Sequence, residues 1–319
     1  MSATPAPTSL REGGDPALSQ AVDLSHRPRP GEKVIRALLA ACGVMSILTT
    51  AGIVLTLAFE AFEFFREVPV WSFVTGTNWS ALIEPKAYGV LPLVSGTLMI
   101  GVLSAIVGVP LGVSTAIYLR EYASPRVRNR LKPTLEVLAG IPTVVLGYFA
   151  LTFVTETVLR PLFGDRIDFY NGLSAGLVVG IMIVPIIASV SEDAMAAVPR
   201  SLREGAFGLG ASRMTTSLRV VLPAAMSGIA ASVVLGLSRA VGETMIVAIA
   251  AGSSPRLTAN PLRSIQTLTG YIVQASLGDT PQTSLEYKGV FAVGLVLFLM
   301  TLALNVASIR LVRKFRQAY

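Results

Sequence analysis

Hydrophobic residues gather into six long runs along this chain, and short polar or charged segments separate the runs. A helix needs about 20 mostly apolar residues to cross the hydrocarbon core of a bilayer, and each run is close to that length or longer. The runs cover residues 34–59, 90–119, 135–158, 173–190, 220–251 and 290–312. Because unpaired backbone groups are costly in lipid, such runs form closed helices. The pattern predicts an all-α membrane protein with six transmembrane helices over residues 33–319.

Glycines four residues apart recur within two of these runs. Gly108 and Gly112 lie in the second run, and Gly176 and Gly180 lie in the fourth. Small residues at this spacing let two helices approach each other closely. The sequence leaves open whether the contact lies inside the chain or against a partner subunit.

The first 32 residues differ from the rest of the chain. They are rich in proline, glycine, serine and threonine and contain no long apolar run. Such a segment cannot bury enough surface to order itself, so we expect residues 1–32 to form a disordered cytoplasmic tail. The first apolar run is too long for a cleaved signal peptide, so we expect it to remain as an anchor.

The distribution of charge predicts the topology. Only 14% of the 319 residues are charged and 52% are hydrophobic, which is typical of a multi-pass membrane protein. With the six runs as spans, eighteen of the 26 lysines and arginines fall on one face and seven on the other. The positive-inside rule places the richer face, with both termini, in the cytoplasm. The net charge of +7 therefore reflects topology, and no basic patch interleaved with aromatic residues indicates nucleic acid.

Residue usage excludes several kinds of active site. The only cysteine, Cys42, lies in the first run, and the only histidine, His26, lies in the tail. Clusters of cysteine and histidine that bind metal, and histidine general bases, are therefore absent from the sequence. No G-x-x-x-x-G-K-[ST] loop occurs either. We expect no catalytic residue, metal or cofactor on this chain; if ATP drives its function, a separate subunit binds Mg-ATP.

The segment EGAFGLGASRMTTSLRVVLP, residues 204–223, lies between the fourth and fifth runs. Its spacing resembles the E-A-A-x(3)-G-x(9)-I-x-L-P signature of bacterial ABC importer permeases, with glycine for the second alanine and valine for isoleucine. The signature positions are occupied by Glu204, Gly205, Ala206, Gly210, Val220, Leu222 and Pro223. The resemblance implies a coupling helix in the 191–220 cytoplasmic loop that docks on an ATPase, with the glycine at 210 in the turn after it. An ordinary amphipathic loop is the alternative.

Four further stretches resemble the phosphate-specific permeases of ABC importers, and their C-type subunit in particular. They are WSFVTGTNWSALIEPKAYGVLPLVSGTLMI (71–100), AGIPTVVLGYFAL (139–151), LSRAVGETM (237–245) and SLEYKGVFAVGLVLF (284–298). The resemblance covers most of the chain from Trp71 onward. The A-type sister subunit is the nearest alternative, and the segment from Trp71 to Trp79 favours the C type.

This resemblance implies a membrane complex that imports phosphate. Its other members would be an A-type permease, two copies of an ATP-binding subunit and a periplasmic or extracellular phosphate-binding protein, all in or at the cytoplasmic membrane among its lipids. Rival interpretations are an ABC permease for molybdate or sulfate, a proton-coupled carrier that uses Glu243 as a relay, and a membrane-embedded enzyme. The coupling segment argues against the carrier, and the scarcity of polar groups in the spans argues against the enzyme.

An arginine and a glutamate interrupt the fifth apolar run. Arg239 and Glu243 are four residues apart, and Thr244 follows them. A charge at a helix centre costs about 2.5 to 3.5 kcal/mol on insertion scales, so such residues normally face a bundle interior or an aqueous pathway. In one continuous helix this spacing would let the two side chains pair. We assign the three residues to a substrate pathway in which the guanidinium binds an oxyanion and the glutamate holds it; a salt bridge that only joins helices is the alternative.

Aromatic residues are concentrated just after the first run. We expect the phenylalanines of this region, such as Phe64 and Phe73, to form an interfacial aromatic belt. The two tryptophans, Trp71 and Trp79, and the loop from residue 252 to 288 are a candidate surface for a substrate-binding protein.

Overall fold

A computed structural model describes residues 30–81, 83–278, 281 and 284–315 of the chain. The expected tail lies outside the described residues up to position 29, and residues 30–32 already belong to the first helix. The α-helices are α1 Pro30–Glu67, α2 Val70–Thr75, α3 Leu91–Ile117, α4 Pro125–Ala139, α5 Thr143–Phe149, α6 Arg160–Phe163, α7 Gly172–Ala196, α8 Arg200–Gly208, α9 Arg213–Thr216, α10 Leu222–Ala224, α11 Met226–Val241, α12 Met245–Ala250, α13 Leu268–Leu277 and α14 Leu285–Phe315. Shorter helical pieces are the π-helical segments Tyr118–Tyr122, Ala150–Leu159 and Ser217–Val221, and the 3-10 turn Gly164–Arg166.

One small hairpin completes the secondary structure of the described residues. Strand β1, Trp79–Ser80, pairs antiparallel with β2, Ala87–Tyr88, so that Trp79 lies opposite Tyr88. The chain divides into two compact units, one that ends at Ile53 and one that begins at Val54. In the first unit, the described side chains of α1 are exposed from residue 31 to 53.

Five helical stretches are long and apolar enough to cross a membrane. They are Gly31–Glu67, Leu91–Tyr122, Thr143–Arg166, Gly172–Ala196 and Leu285–Arg310. A sixth crossing results if the pair Arg213–Ala224 and Met226–Val241, which is bent by 71°, counts as one span. The prediction of an all-α, six-span membrane bundle is therefore confirmed, with the fifth span as its irregular member.

Two of the expected span boundaries are wrong. The third span begins at Thr143 rather than at residue 135, because α4 ends at Ala139 and the next helix begins only after Pro142. A proline disfavours helical geometry in the residue before it, so the two helices cannot be continuous. The fifth run, 220–251, is also not one helix: it is interrupted at Ala225 and again at residues 242–244.

Within the second unit, α3 and α7 pack face to face through their glycines. A Cβ on Gly108 would lie 2.7 Å from the carbonyl oxygen of Gly180, and a Cβ on Gly112 would lie 2.7 Å from the side chain of Ile187. Gly176 makes the same kind of close approach to Leu103. The glycine pairs therefore act inside this chain, which answers the question that their spacing left open.

A hydrophobic cluster in the second unit contains the aromatic residues that follow the first span. Phe64 and Phe73 are fully buried in it, and Trp79 packs edge-on against Tyr271 with ring centroids 4.8 Å apart. The expectation of an interfacial belt is wrong for these two phenylalanines, because they pack against each other and against Tyr88 and Trp79 of the hairpin. The two tryptophans also differ: Trp79 is 4% exposed, whereas Trp71 is 78% exposed.

Candidate substrate pathway and coupling helix

The predicted fifth run, residues 220–251, breaks at the residues that the sequence singled out. Helix α11 ends at Val241, and α12 begins at Met245 after a break of three residues. Gly242 closes α11 by donating its amide N–H to the carbonyl of Ser238 at 3.2 Å. The break leaves the first amides of α12 without intrahelical partners, as at any helix start.

The carboxylate of Glu243 accepts hydrogen bonds from two of those amides. Its Oε1 accepts hydrogen bonds from the backbone N–H of Met245 at 3.1 Å and of Ile246 at 3.3 Å. The glutamate is only 8% exposed, and its carbonyl oxygen accepts a further bond from the hydroxyl of Thr269 at 2.8 Å. A buried carboxylate is tolerated where hydrogen bonds replace its hydration. Glu243 therefore stabilises the start of α12 and is joined to α13 through its backbone.

Arg239 has a different environment. It lies on the last turn of α11 and its side chain is exposed on the surface of this subunit. The expected pair between Arg239 and Glu243 does not form, because the helix ends between them and the carboxylate is already engaged by amides. Among the described residues, the guanidinium has no ion-pair or hydrogen-bond partner.

The neighbours of Arg239 hold the end of α11 in place. Ser238 donates its hydroxyl to Oδ1 of Asn305 on α14 at 2.8 Å. Thr244, which is partly buried, donates its hydroxyl to the carbonyl of Gly242 at 3.1 Å and so folds back onto the break. Gly147 of α5 lets α12 approach closely, because a Cβ there would lie 3.2 Å from Cα of Ile246. The three predicted pathway residues therefore lie at one break in the chain, and each has a different environment there.

The predicted coupling segment is a short helix followed by a glycine turn. Helix α8 contains Glu204, Gly205 and Ala206, and Gly210 follows it with φ +81. The amide of Gly210 donates to Phe207 at 2.9 Å and that of Ala211 to Ala206 at 3.0 Å. These two bonds form the Schellman pattern that ends a helix with a left-handed glycine. The helix and the turn at Gly210 therefore lie where the signature predicted them.

None of the residues of α8 is buried. A Cβ on Gly205 would meet no atom within 4 Å, so the alanine that is usual at this position would fit. Large apolar side chains are exposed on and just after the helix. They are Phe207, Leu209, Met214 and Leu218. Leu209, which is 91% exposed, lies at the tip.

Arg203 connects α8 to the membrane spans. One of its guanidinium nitrogens donates to the carbonyl of Met195, near the end of α7, at 2.8 Å, and another lies 3.2 Å from the carboxylate of Glu121. A cationic side chain near the C-terminus of a helix stabilises it by donating hydrogen bonds to carbonyls that have no intrahelical partner. The hydroxyl of Ser217 also donates to Glu121, at 3.4 Å. One arginine thus joins α8 to the ends of α3 and α7.

Next to this contact lies a buried carboxylate that the sequence reasoning missed. Glu192 of α7 is 0% exposed. It forms ion pairs with Arg128 and with Lys132, the latter at 2.9 Å, and Arg120 lies 4.0 Å away. Hydrogen bonds to Glu192 and then to Asp193 raise the pKa of Lys132. Burial of a carboxylate is costly unless cations and hydrogen bonds surround it.

A sequence signal for Glu192 did exist. The predicted fourth span ended at residue 190, but α7 continues to Ala196. Ala188, Glu192 and Met195 recur at helical spacing on the buried face of α7. An extension of the apolar face through the glutamate would have placed it in the interior.

The last signature residues mark the bend of the fifth span. Leu222 and Pro223 begin α10, and the 71° bend follows at Ala225. Proline is a common cause of such bends, since it lacks an amide N–H and its ring crowds the preceding turn. Leu222 is partly buried, whereas Pro223 is exposed. The signature therefore runs from the exposed helix α8 to the bend that leads into α11.

Comparison with known proteins places this architecture in a family. Residues 108–319 match the model of the family described as binding-protein-dependent transport system inner membrane component. The chain belongs to this family. Members of this family are multi-pass inner-membrane permeases that work with a substrate-binding protein, so this chain is a transport permease rather than an enzyme.

Several curated proteins are similar over most of their length. The chain is 35% identical to the probable ABC transporter permease protein YqgH of Bacillus subtilis over 268 residues, which are 83% of this chain and 86% of the relative. It is 39% identical to the phosphate transport system permease protein PstC 1 of Mycobacterium tuberculosis over 246 residues, 71% of this chain and 73% of the relative. A PstC of Mesorhizobium japonicum is 30% identical over 88% of this chain and 90% of its own.

Solved ABC importers share the fold. A permease chain of a bacterial alginate importer superposes with a TM-score of 0.62 at 15% identity, covering 91% of this chain and 100% of that one. A chain of the MetNI methionine transporter superposes with a TM-score of 0.53 at 20% identity, covering 72% and 95%. At these identities the likeness concerns the fold, and it confirms the predicted ABC importer permease bundle.

Proposed function

We propose that this chain is the C-type permease subunit of an ATP-driven importer of inorganic phosphate. Curated phosphate permeases that are 30–39% identical over most of the chain support this solute. The stretches that resembled phosphate permeases in the sequence include the break at Arg239. Both termini face the cytoplasm in this proposal, in agreement with the distribution of lysine and arginine.

The unpaired guanidinium of Arg239 is the observation that carries the proposal. A dehydrated oxyanion needs a cationic partner, and guanidinium offers a planar fork that matches two phosphate oxygens. Because the carboxylate of Glu243 is occupied by two backbone amides, it does not compete for that guanidinium. Its negative charge lowers the affinity for an anion somewhat, which favours release of the cargo.

The supply of energy is assigned to a separate ATPase that binds Mg-ATP and docks on α8. The exposed apolar residues around Leu209 offer it a surface, and Arg203 passes movement of α8 to the ends of α3 and α7. The pathway is completed by an A-type sister permease, and two ATPase copies serve the pair. A phosphate-binding protein delivers solute on the opposite face. Exposure of Arg239 alternates between the two sides of the membrane.

Substitution of Arg239 tests the pathway. We expect Arg239→Gln to abolish phosphate uptake in proteoliposomes that contain the assembled complex, because an oxyanion loses the guanidinium at the break. Arg239→Lys should retain a small part of the uptake, since a point charge replaces the fork. The matched control is Arg310→Gln, an exposed arginine on α14. Wild-type uptake by the Arg239→Gln complex would contradict the role.

Competition identifies the anion. Uptake of labelled phosphate should fall when excess unlabelled phosphate is present and should persist with excess molybdate or sulfate. Inhibition by molybdate or sulfate at lower concentration than by phosphate would identify a permease for that anion instead. Uptake that persists after ATP depletion, driven by a proton gradient, would favour the proton-coupled carrier.

Crosslinking tests the coupling surface. In a Cys42→Ala background, Leu209→Cys should crosslink to the ATPase of the complex, because that side chain projects from the tip of α8. Leu277→Cys, which is similarly exposed at the end of α13, is the matched control and should not crosslink. Absence of a crosslink from position 209 would argue that α8 does not dock on the ATPase.

The glycine turn offers a second test of coupling. Gly210→Ala forces an alanine into φ +81, which costs about 1 to 2 kcal/mol, and should lower transport-coupled ATP hydrolysis. Gly205→Ala lies in open space within α8 and should preserve or slightly strengthen the helix. Equal behaviour of the two variants would show that the turn after α8 plays no part in coupling.

A further inference from the structure

Helix α4 is tied to the membrane surface by its connections. Two residues separate the start of α4 from Tyr122, where the π-helical end of the second span stops. Three residues separate the end of α4 from Thr143, where the third span begins. Such short links reach about 3.5 Å per residue at most, so both ends of α4 lie near the ends of spans. Two successive spans are joined on one side of the membrane, so the helix runs along that surface.

One face of α4 is fixed to the bundle. Arg128 and Lys132, one turn apart, both pair with the buried carboxylate of Glu192, and together with Leu135 they are the partly buried residues of this helix. Every other residue of α4 is exposed. The contact with α7 therefore determines which faces of α4 point away from the protein.

The remaining faces combine apolar side chains with unpaired cations. At about 100° per residue, Val127, Leu131 and Leu138 form one exposed stripe beside the fixed face. Arg126 and Arg130, one turn apart, flank this stripe on its far side. Neither arginine forms an ion pair within the described part of the chain.

We propose that α4 is an interfacial helix that binds the anionic headgroups of phospholipids through Arg126 and Arg130. A helix with an apolar stripe and cations along its edge lies in the plane of the interface, with its stripe in the acyl region. Arginines at that depth extend to the headgroups and attract anionic lipid. This inference rests on the proposed topology, in which α4 faces the cytoplasmic leaflet.

The surroundings of α4 favour lipid over a protein partner. Tyr118 and Tyr122, at the end of the second span, are both exposed beside the start of α4. Tyrosines concentrate at the membrane-water interface, so they indicate the level at which α4 lies. The apolar surface expected to meet the ATPase is on α8, which is held by the pair of Arg203 and Glu121 and not by the ion pairs of Glu192. An anionic lipid also matches the charge of two arginines that lack counter-ions.

Spin-labelled lipids test the proposal on the assembled complex. The fraction of motionally restricted probe is compared for phosphatidylglycerol and phosphatidylcholine in vesicles of phosphatidylcholine. We expect the wild type to prefer phosphatidylglycerol and the double variant Arg126→Gln, Arg130→Gln to lose that preference by about fivefold or more. The charge-matched control is Arg36→Gln with Arg310→Gln, which should keep most of it. Equal preference in the wild type and the α4 variant, or an equal loss in the control, would overturn the site.

The position of the apolar stripe gives an independent readout. A nitroxide at Leu131→Cys in the Cys42→Ala background should be more accessible to oxygen than to a water-soluble nickel complex. Shielding of this nitroxide from both reagents on addition of the ATPase would show a protein interface and overturn the lipid assignment. These measurements need no solute: a complex that transports another anion but keeps the lipid preference would correct the proposed function alone.

Discussion

Two buried glutamates of this permease are held by opposite kinds of partner. Glu192, at the end of α7, is surrounded by side-chain cations from α4 and from the end of the second span. Glu243, at the break of the fifth span, has no cation among the described residues and is held by backbone amides instead. The first carboxylate ties three elements together, whereas the second completes one helix end.

In the proposed function, Glu192 joins helices of the permease, whereas Glu243 lies beside the substrate pathway. The cations around Glu192 form ion pairs with it, so they are not available to bind a transported anion. Because backbone amides supply the hydrogen bonds to Glu243, Arg239 is left unpaired four residues away. A carboxylate capped by backbone therefore lets a transport protein keep a free guanidinium in an apolar span, which a salt bridge between the two would prevent.

The largest effect is expected at Glu192. Glu192→Ala would leave Arg120 and Arg128 without their anion and Lys132 with Asp193 alone, and it should destabilise the complex by about 3 to 5 kcal/mol, as for other broken buried pairs. Thermal unfolding of the purified complex measures this loss. The control is Asp193→Asn, because this adjacent carboxylate is 64% exposed, also pairs with Lys132 and should matter by less than about 1 kcal/mol. Similar losses in both variants would contradict the comparison.

Removal of a cation together with Glu192 sharpens the same point. The double variant Glu192→Gln, Lys132→Met should be less damaging than the sum of its two single variants, since fewer charges remain unpaired. Additive losses would show that the two side chains do not depend on each other.

A smaller effect is expected at Glu243. Glu243→Ala removes the acceptor for two amides of α12 and should cost about 1 kcal/mol, with a loss of phosphate uptake because the break is no longer held. Glu243→Gln keeps an acceptor oxygen and should retain assembly and much of the uptake. Loss of uptake by the glutamine variant in an intact complex would mean that the charge itself is needed, as in a proton relay.

Loss of the hydrogen bond from Thr269 to the carbonyl of Glu243 should have a similar or slightly smaller effect. Thr269→Val keeps the shape of a buried side chain but removes the hydroxyl that donates to the carbonyl of Glu243, which should cost about 1 kcal/mol. Thr152→Val is the matched control, because its hydroxyl also donates to a carbonyl but is exposed. Unfolding midpoints of the two variants compare them, and no difference would show that α13 does not support the break.

The smallest effect is expected at a third, partly exposed carboxylate. The backbone N–H of Ser264 and then the Arg263 side chain lower the pKa of Asp168. A lowered pKa contributes stability above the ordinary value near 4, and this contribution is lost as the pH falls through the folded-state pKa. The unfolding midpoints of wild type and Asp168→Asn should therefore differ slightly at about pH 6 and converge as the pH falls through the folded-state pKa. A difference that persists in acid would exclude the ionised carboxylate as its cause.

Much of the fold follows from local patterns. Runs of apolar residues predicted the second, fourth and sixth spans closely, because a bilayer requires a minimum length of apolar helix. The turn at Gly210 was equally predictable, since its left-handed conformation favours glycine. The third and fifth spans were misplaced, because apolar composition does not reveal a helix that stops at Pro142 or restarts at Met245.

The candidate site was predictable only in part. Arg239 and Glu243 stand out as charges in an apolar run, and their spacing suggested a pair. That pair requires a continuous helix, and the chain breaks between them. Glu192 drew no attention because it lies just past the end of the predicted span, where a charge is ordinary.

The sequence by itself determined that this protein crosses the membrane, where its unusual charges lie and which segment forms the exposed helix α8. These properties depend on local chemistry: apolar length, charge and the conformational freedom of glycine. Only the tertiary structure decided the partners of each charge. Glu192 lies 64 residues from Arg128 and 60 from Lys132, and it meets them through the packing of α4 on α7. Arg239 and Glu243, by contrast, are near neighbours in sequence that backbone geometry keeps apart.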